Sequence, residues 1–168
     1  MSSNKYLYSP WRLDYILSEK PTDCILCRHQ HPGSDQENLI LLRGTYSYIM
    51  LNRYPYNNGH LMIVPYLHVA RLSDLPLETC HEMDVLLRCS EQSLYKLYQC
   101  DGINIGMNQG KAGGAGIDEH LHWHILPRWS GDSNFMTVVA GERVIPEAFE
   151  RTYQLLYDAL RNNMPERE

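Results

Sequence analysis

No stretch of this 168-residue chain stays apolar for the roughly 20 residues that a bilayer-spanning helix needs. A membrane is therefore not an expected partner. Basic residues are also short: 15 Lys and Arg stand against 20 Asp and Glu, a formal charge of −5. A general polyanion binder needs a basic face, so nucleic acid is not expected either. A small phosphorylated ligand held in a local pocket remains compatible with that charge. The opening run MSSNKYLYSPWRLDYI is too polar and aromatic for a secretory signal. Internal repeats, low-complexity tracts and long linkers are absent. So are a Walker loop, a dinucleotide-binding glycine fingerprint, a nucleophile-elbow serine and an HExxH pair.

What is present suits one domain with a proper core, since 43% of the residues are apolar. The five cysteines are an odd number, and Cys80, Cys89 and Cys100 fall in or near an apparent helix. Reduced thiols and a cytoplasmic home are the expectation. Residues 29–38 read as a surface loop. Residues 39–51 read as two strands around a turn at Arg43-Gly44. NRYPYNNGH is a turn, and an apolar strand follows from His60 until Pro65 ends it. Asp74-Leu75-Pro76 opens a helix to about Tyr98, with Leu77, Met83, Leu86, Leu87, Leu94 and Leu97 near helical spacing. GINIGMNQG reads as a short strand and KAGGAGI as a glycine-rich loop. The histidine-bearing strand comes next, ended by Pro127. After Pro146 comes a second amphipathic helix, and the last residues, NNMPERE, fray. Strand connections too short for repeated βαβ crossovers point to an α+β domain, with an antiparallel sheet and helices on one side.

The stretch GIDEHLHWHILPRW carries His120, His122 and His124 at alternate positions. Side chains on a strand alternate between faces, so the three imidazoles share one face, roughly 6.5 Å apart per step. Leu121, Trp123 and Ile125 share the other and can pack on helices. A helix would scatter the same rings around its axis. Two chemistries use such a row. Alternate histidines can converge on one zinc ion. Alternatively, a histidine can attack phosphorus or an acyl carbon, with others as acid, base or donor.

Cys24 and Cys27 form a CxxC knuckle that can present two thiolates to a metal. Incidental thiols are the bland reading, and a thioredoxin-like pair lacks its βαβ context. A closed zinc site would need two more ligands from His29, His31, His60, His68, His81 and His120, and spacing does not choose. Gly106, Gly110, Gly113, Gly114 and Gly116 cluster before the histidine stretch. Glycines allow close backbone approach, and consecutive N–H groups can form an anion nest. Asn108 and Gln109 add amide donors. The bland reading is a flexible hairpin loop.

HLHWHIL resembles the His-φ-His-φ-His-φ-φ motif of the histidine-triad (HIT) family of nucleotide hydrolases and transferases. NRYPYNNGHLMIVPYLHVARLSDL resembles that family's paired strands and the opening of its helix. YSPWRLDYI, CILC, the segment from Gly114 to Glu147 and the C-terminal helix resemble the branch containing bacterial diadenosine tetraphosphate phosphorylases. The resemblance implies a HIT-like fold, an antiparallel sheet of about five strands with two main helices. It implies one domain over 1–168: an N-terminal segment and knuckle at 1–38, a core at 39–130, and an extension with the last helix at 131–168.

It also implies roles. His122 would attack the α-phosphorus and form a nucleotidyl-histidine intermediate. His124 would hydrogen-bond the reacting phosphate or bridging oxygen, and His60 would line the same pocket. Asn52 would bind the nucleoside sugar. Asn108 or Gln109 would contact phosphate beside Gly114 and Gly116. Zinc-containing relatives join two CxxC cysteines to two histidines, which implies Cys24, Cys27, His68 and His120 here, as a structural site. A divalent cation accompanying the nucleotide and a homodimer with sheets joined across a two-fold axis fit the same resemblance. An acceptor for the second nitrogen of His122 is expected, a carbonyl or a carboxylate. Arg128 is open to two readings, a phosphate contact or a solvated strand end. Asp132 and Asn134 resemble branch residues. Trp11 and Arg12 would pack on the sheet edge or a second subunit.

The expected function is cleavage of dinucleoside polyphosphates through a histidine adduct. Alternatives are hydrolysis of nucleoside phosphoramidates or adenylyl conjugates, a nucleotide-binding regulator with little turnover, and, last, a metal hydrolase using the row as ligands.

Overall fold

In the computed structural model the described residues are 24–28, 34–132 and 147–163. Five strands carry the architecture: β1 (Ile40–Arg43), β2 (Ser47–Leu51), β3 (Leu61–Pro65), β4 (Gly102–Gly106) and β5 (Trp123–Arg128). They form one sheet in the order β1-β2-β3-β5-β4, with every neighbouring pair antiparallel. A four-residue helix, α1 (Ile25–Arg28), precedes them. The long helix α2 (Leu77–Tyr98) joins β3 to β4, and α3 (Phe149–Asn163) follows the sheet. The α+β fold with two main helices is thus what the chain adopts.

The central strands explain the layering. Every residue of β2 and of β3 is buried. Alternation divides them between two cores. Ile49, Leu51, Leu61 and Ile63 join Ile125 and Leu121 under Met83, Leu86 and Leu94 of α2 and Leu156 and Leu160 of α3. Tyr48, Met50, Met62 and Val64 face the other way and pack with Ile40 and with Leu26 of α1. The helices therefore cover one side, as expected. The cysteine knuckle covers part of the other, and the Tyr48 hydroxyl fastens it by donating to the Leu26 carbonyl at 2.8 Å.

A single carboxylate ties α2 to the sheet. Glu82 accepts from the N–H groups of Thr45 and Tyr46 at 2.6 and 2.8 Å and from the Ser47 hydroxyl at 2.7 Å. Burial pushes this carboxyl up, but the hydrogen bonds outweigh it and hold it below its usual range. Gly44 is required here, because a Cβ would fall 2.6 Å from a Glu82 oxygen. At the far end α2 stops at Gln99, which adopts a left-handed conformation (φ 46°) and donates its N–H to the Tyr95 carbonyl.

Some boundaries differ from the sequence reading. The long helix starts at Leu77 behind Pro76, and Asp74 belongs to a separate 3₁₀ turn, Leu72–Asp74. Leu77 is 84% exposed: it opens the helix on the side away from the core, while Thr79 in the same turn is buried. β4 ends at Gly106, so Met107–Gly110 belong to the loop. β5 runs through Pro127 to Arg128. The pairing of β3 with β5 stops at Leu61–Ile125. The Pro127 carbonyl accepts from Asn57 Nδ2 at 3.1 Å, in the turn leading into β3. A strand residue points its N–H and C=O to the same edge, so the missing proline N–H falls beyond the β3 ladder and costs no bond.

Candidate active site and metal cluster

β3 and β5 lie side by side, with Met62 paired to His124. His120 and His122 precede the regular part of β5, yet the alternation holds. Leu121 and Ile125 enter the helix-side core and Trp123 packs against it. The three histidines take the opposite side and divide into two clusters.

The first cluster contains His60, His122 and His124. His60 is wholly buried at the foot of β3, and His122 is 5% exposed. The His122 and His124 rings meet edge to face, with centroids 4.8 Å apart. Hydrogen-bond partners fix which nitrogen of each ring carries the proton. His122 Nδ1 lies 2.8 Å from the His120 carbonyl oxygen, which can only accept. Nδ1–H therefore donates, and Nε2 keeps its lone pair. This is the acceptor expected for His122, and it is main chain. His60 Nδ1 receives the Tyr56 N–H at 3.2 Å, with Asn52 Nδ2 at 3.3 Å. Its proton is therefore on Nε2, 2.9 Å from His124 Nδ1. His124 accepts there and keeps its own proton on Nε2. A chain of donors runs from the Tyr56 backbone through His60 to His124 and ends in an N–H.

Burial keeps these rings neutral. It pushes His124 down to about 4, with the nearby His122 adding to the effect. Burial, then His124 and His122, hold His60 well below the usual imidazole range. Burial also lowers His122, against the hydrogen bond to the His120 carbonyl. A neutral imidazole with a free Nε2 lone pair is a nucleophile at ordinary pH.

The second cluster gathers Cys24, Cys27, His68 and His120, whose ligand atoms all lie within 4.8 Å of one another. Cys24 Sγ and Cys27 Sγ stand 3.4 and 3.5 Å from His120 Nδ1, and Cys27 Sγ stands 3.1 Å from His68 Nδ1. Tetrahedral zinc with sulfur at about 2.3 Å and nitrogen at about 2.0 Å separates such atoms by roughly 3.5 Å. The donor set and spacing fit that ion. His120 Nε2 donates to the Pro65 carbonyl at 2.9 Å, which frees Nδ1 to face the thiols. Burial and the neighbouring Cys24 push the Cys27 thiol up to about 11, so two thiolates form here readily only around a cation. His81 lies on the exposed side of α2, away from this set. His29 and His31 lie outside the described residues, as do Trp11, Arg12 and Asn134.

Asn52 borders the first cluster. Its Oδ1 accepts the Tyr54 N–H at 2.9 Å, and its backbone N–H bonds the His60 carbonyl. Asn108 and Gln109 follow β4, whose Gly106 pairs with His124. Carrying that register two residues further sets Asn108 level with His122. Its Nδ2 reaches the Gly114 carbonyl at 3.4 Å, and Gln109 Oε1 accepts the Leu72 N–H at 3.3 Å. The glycine loop spends the N–H groups of Gly113, Gly114 and Ala115 on its own carbonyls, around the left-handed Gly110 and Gly114. Those three donors turn inward, and the exposed Gly116 closes the loop. Arg128, at the end of β5, forks onto Asp132 at 2.5 and 2.8 Å. Tyr56 went unremarked in the sequence. Its ring lies 4.9 Å from that of His60, and its N–H sets the tautomer chain, a backbone role that no residue pattern announces.

A sheet that carries a buried, hydrogen-bonded group of neutral imidazoles beside a thiol-imidazole cluster has the parts that histidine-based chemistry with a metal-fitting support requires. The chain belongs to the HIT family: the HIT domain model matches residues 34–131. It is similar to the AP-4-A phosphorylase of Mycobacterium tuberculosis, 37% identical over 159 residues, which is 89% of this chain and 81% of the relative. It is also similar to the adenosine 5'-monophosphoramidase of Saccharomyces cerevisiae, 32% identical over 106 residues and 62% of each chain. Among solved structures, it resembles a Zn-bound histidine triad family protein from Mycobacterium smegmatis. That match has a TM-score of 0.65 at 26% identity, over 83% of this chain and 94% of the other.

Proposed function

We propose that this protein transfers a nucleotidyl group from a dinucleoside polyphosphate of the diadenosine tetraphosphate type, by way of His122. The observation that carries the reading is the His122 Nδ1–H bond to the His120 carbonyl, which leaves a neutral Nε2 lone pair beside His124. Nε2 attacks the α-phosphorus, the bond to the bridging oxygen breaks, and a nucleotidyl-histidine forms. His124 Nε2–H donates to the departing oxygen, oriented by His60. A second acceptor then takes the nucleotidyl group from His122. Water makes the protein a hydrolase; inorganic phosphate makes it a phosphorylase that releases a nucleoside diphosphate.

Asn52 holds the nucleoside sugar in this reading. Asn108 or Gln109, with the loop at Gly114 and Gly116, meets the phosphates. A divalent cation can accompany the nucleotide without any protein ligand. Zinc held by Cys24, Cys27, His68 and His120 fixes the approach to β5 and takes no part in the chemistry. Residues 1–168 act as one domain in the cytoplasm. A homodimer forms with sheets joined across a two-fold axis, and edge strand β4, with Ile105 44% exposed, is suited to that contact.

The relatives' names support both the phosphorylase and, as the second reading, a phosphoramidase. A substrate panel separates them: diadenosine tetraphosphate with and without phosphate, an adenosine phosphoramidate, and AMP binding. Phosphate-dependent release of ADP selects the phosphorylase. Tight AMP binding with negligible turnover of every substrate would instead make the protein a nucleotide-binding regulator. Acid-stable trapping is not needed, because rapid quenching at alkaline pH and intact mass measurement report the adduct directly, and its absence during turnover would overturn the histidine step.

A further inference from the structure

The turn between β2 and β3 supplies the N–H that orients His60, and that turn is fastened from outside the site. Asn57 is 7% exposed. Its Nδ2 donates to the Pro127 carbonyl at 3.1 Å and to Asp132 Oδ2 at 3.2 Å, which uses both amide hydrogens. Its Oδ1 accepts the Asn58 N–H at 3.2 Å. Gly59 completes the seat. It is left-handed (φ +69°), and a Cβ there would fall 2.9 Å from Tyr98, 3.2 Å from Leu94 and 3.3 Å from Pro127. The turn thus sits hard against α2 and β5, with Tyr56 held between Asn57 and the rest of the loop.

The outer end of the fastening is a carboxylate. Asp132 receives Arg128 in a two-pronged contact, at 2.5 Å from Nε and 2.8 Å from Nη2. The remaining prong of Arg128, Nη1, donates to Asn104 Oδ1 on β4 at 2.7 Å. The Asp132 side chain is 12% exposed against 37% for Arg128, so the carboxylate is the inner partner. Oδ2 receives both Arg128 Nε and Asn57 Nδ2, and Oδ1 receives Arg128 Nη2, so all three donors are met only by a carboxylate. An amide at that position would turn an NH₂ either toward Arg128 Nη2 or toward Arg128 Nε and Asn57 Nδ2 together.

We propose that Asp132, acting through Asn57, is a positioning residue for the His60–His124 pair. It fastens the turn so that the Tyr56 N–H stays aimed at His60 Nδ1, and so keeps the His124 N–H pointed at substrate. Neither residue touches the reacting atoms. The proposal rests on the nucleotidyl-transfer reading for its kinetic consequence, but not for its structural one. A misplaced donor should lower the rate of the chemical step while leaving substrate affinity alone.

The test uses Asp132→Asn, Asn57→Ala and the double variant in the full chain, with ¹⁵N-labelled histidine. In the wild type, His60 and His124 should each show one Nε2–H tautomer. Both single variants should show mixed or broadened tautomers, with kcat lowered about tenfold to a hundredfold and KM unchanged. The double variant should be no worse than the worse single, because both act along one path. Wild-type tautomers with unchanged kcat would overturn the proposal. So would a fall in Tm alone, or rate losses that multiply. If Asp132→Asn does not fold, Asn57→Ala decides by the same readouts. If the wild type turns over no nucleotide, the functional reading fails, while the tautomer populations still judge the fastening.

Discussion

Two histidine clusters share one face of one sheet, and only one of them contains sulfur. Both are neutral for the same reason: burial drives His120 and His124 each down to about 4. They differ in what receives the lone pair. Around His120 the Pro65 carbonyl accepts from Nε2–H, and two thiols wait at the other nitrogen. Around His122 a carbonyl again accepts from Nδ1–H, but the ring stands beside that of His124 instead of beside thiols. Histidines two residues apart thus differ in what surrounds them through their neighbours, not through their own sequence context. His120 belongs to both arrangements, since its ring joins the thiols and its carbonyl orients the His122 ring.

The comparison breaks most sharply at His122. Replacing it by alanine should abolish turnover, by about a thousandfold or more, with the fold and the metal content intact. Near-normal activity on every nucleotide tried would mean that the sulfur-free cluster is not the reaction centre. Next in size is the sulfur cluster. Cys24→Ser or His68→Ala should lose stoichiometric zinc and about 3 kcal/mol of stability, or roughly 6–12 °C in Tm for a chain of this size. A variant that keeps full metal content would show that the four residues are not a ligand set. A Cys24→Ser protein that loses as much activity as the His122 variant would erase the division of labour.

Period-two alternation was enough to put the three histidines on one face and Leu121 and Ile125 on the other, because strand geometry leaves no third choice. The HIT resemblance carried the rest of the cluster assignment: spacing offered six histidines for the knuckle, the resemblance singled out His68 and His120, and the coordinates bring both to the sulfurs. Of the tautomer chain, only the need for an acceptor at His122 was legible, not the groups that set it. It depends on the Tyr56 N–H and the His120 carbonyl, backbone groups that every residue possesses. Pro127 misled for a physical reason: proline ends strands only where its missing N–H would have been paired. Leu77 misled because a helical stripe does not say where the core begins beneath it. The inward-turned glycine loop shows the same limit, since composition predicts freedom of backbone but not which carbonyl collects each N–H.

A smaller effect separates neutral from charged rings. An ordinary imidazole titrates near 6.5, and His124 is held to about 4 in the folded protein. Its folded pKa is depressed, so the folded state binds fewer protons than the unfolded state between those values. Stability is therefore fully present above about pH 6.5 and is lost as pH falls toward 4. From pH 7.5 to 5 the loss for His124 is about 2 kcal/mol, with His60 acting in the same direction. Carboxylates contribute little in that interval, since most titrate near 4. Urea midpoints at pH 7.5, 6.5 and 5.5 measure it. A midpoint that stays flat or rises on acidification would mean that these rings are charged, or solvated, in the folded protein.

The smallest effect probes how the sulfur cluster is seated. Tyr48 is fully buried, stacks on Tyr66 at 5.5 Å, and donates to the Leu26 carbonyl in the helix between the two cysteines. Tyr48→Phe keeps the ring and removes only the donor. A stranded buried carbonyl costs about 1–2 kcal/mol, less if water reaches it. The expected outcome is a small fall in Tm and a fewfold weaker hold on zinc, measured by competition with a chromogenic chelator. Turnover at saturating zinc should be unchanged, because the His60–His124 chain has no contact with α1. If turnover falls in step with zinc affinity, strain at the knuckle reaches His122 through the His120 main chain, and the two clusters work as one device.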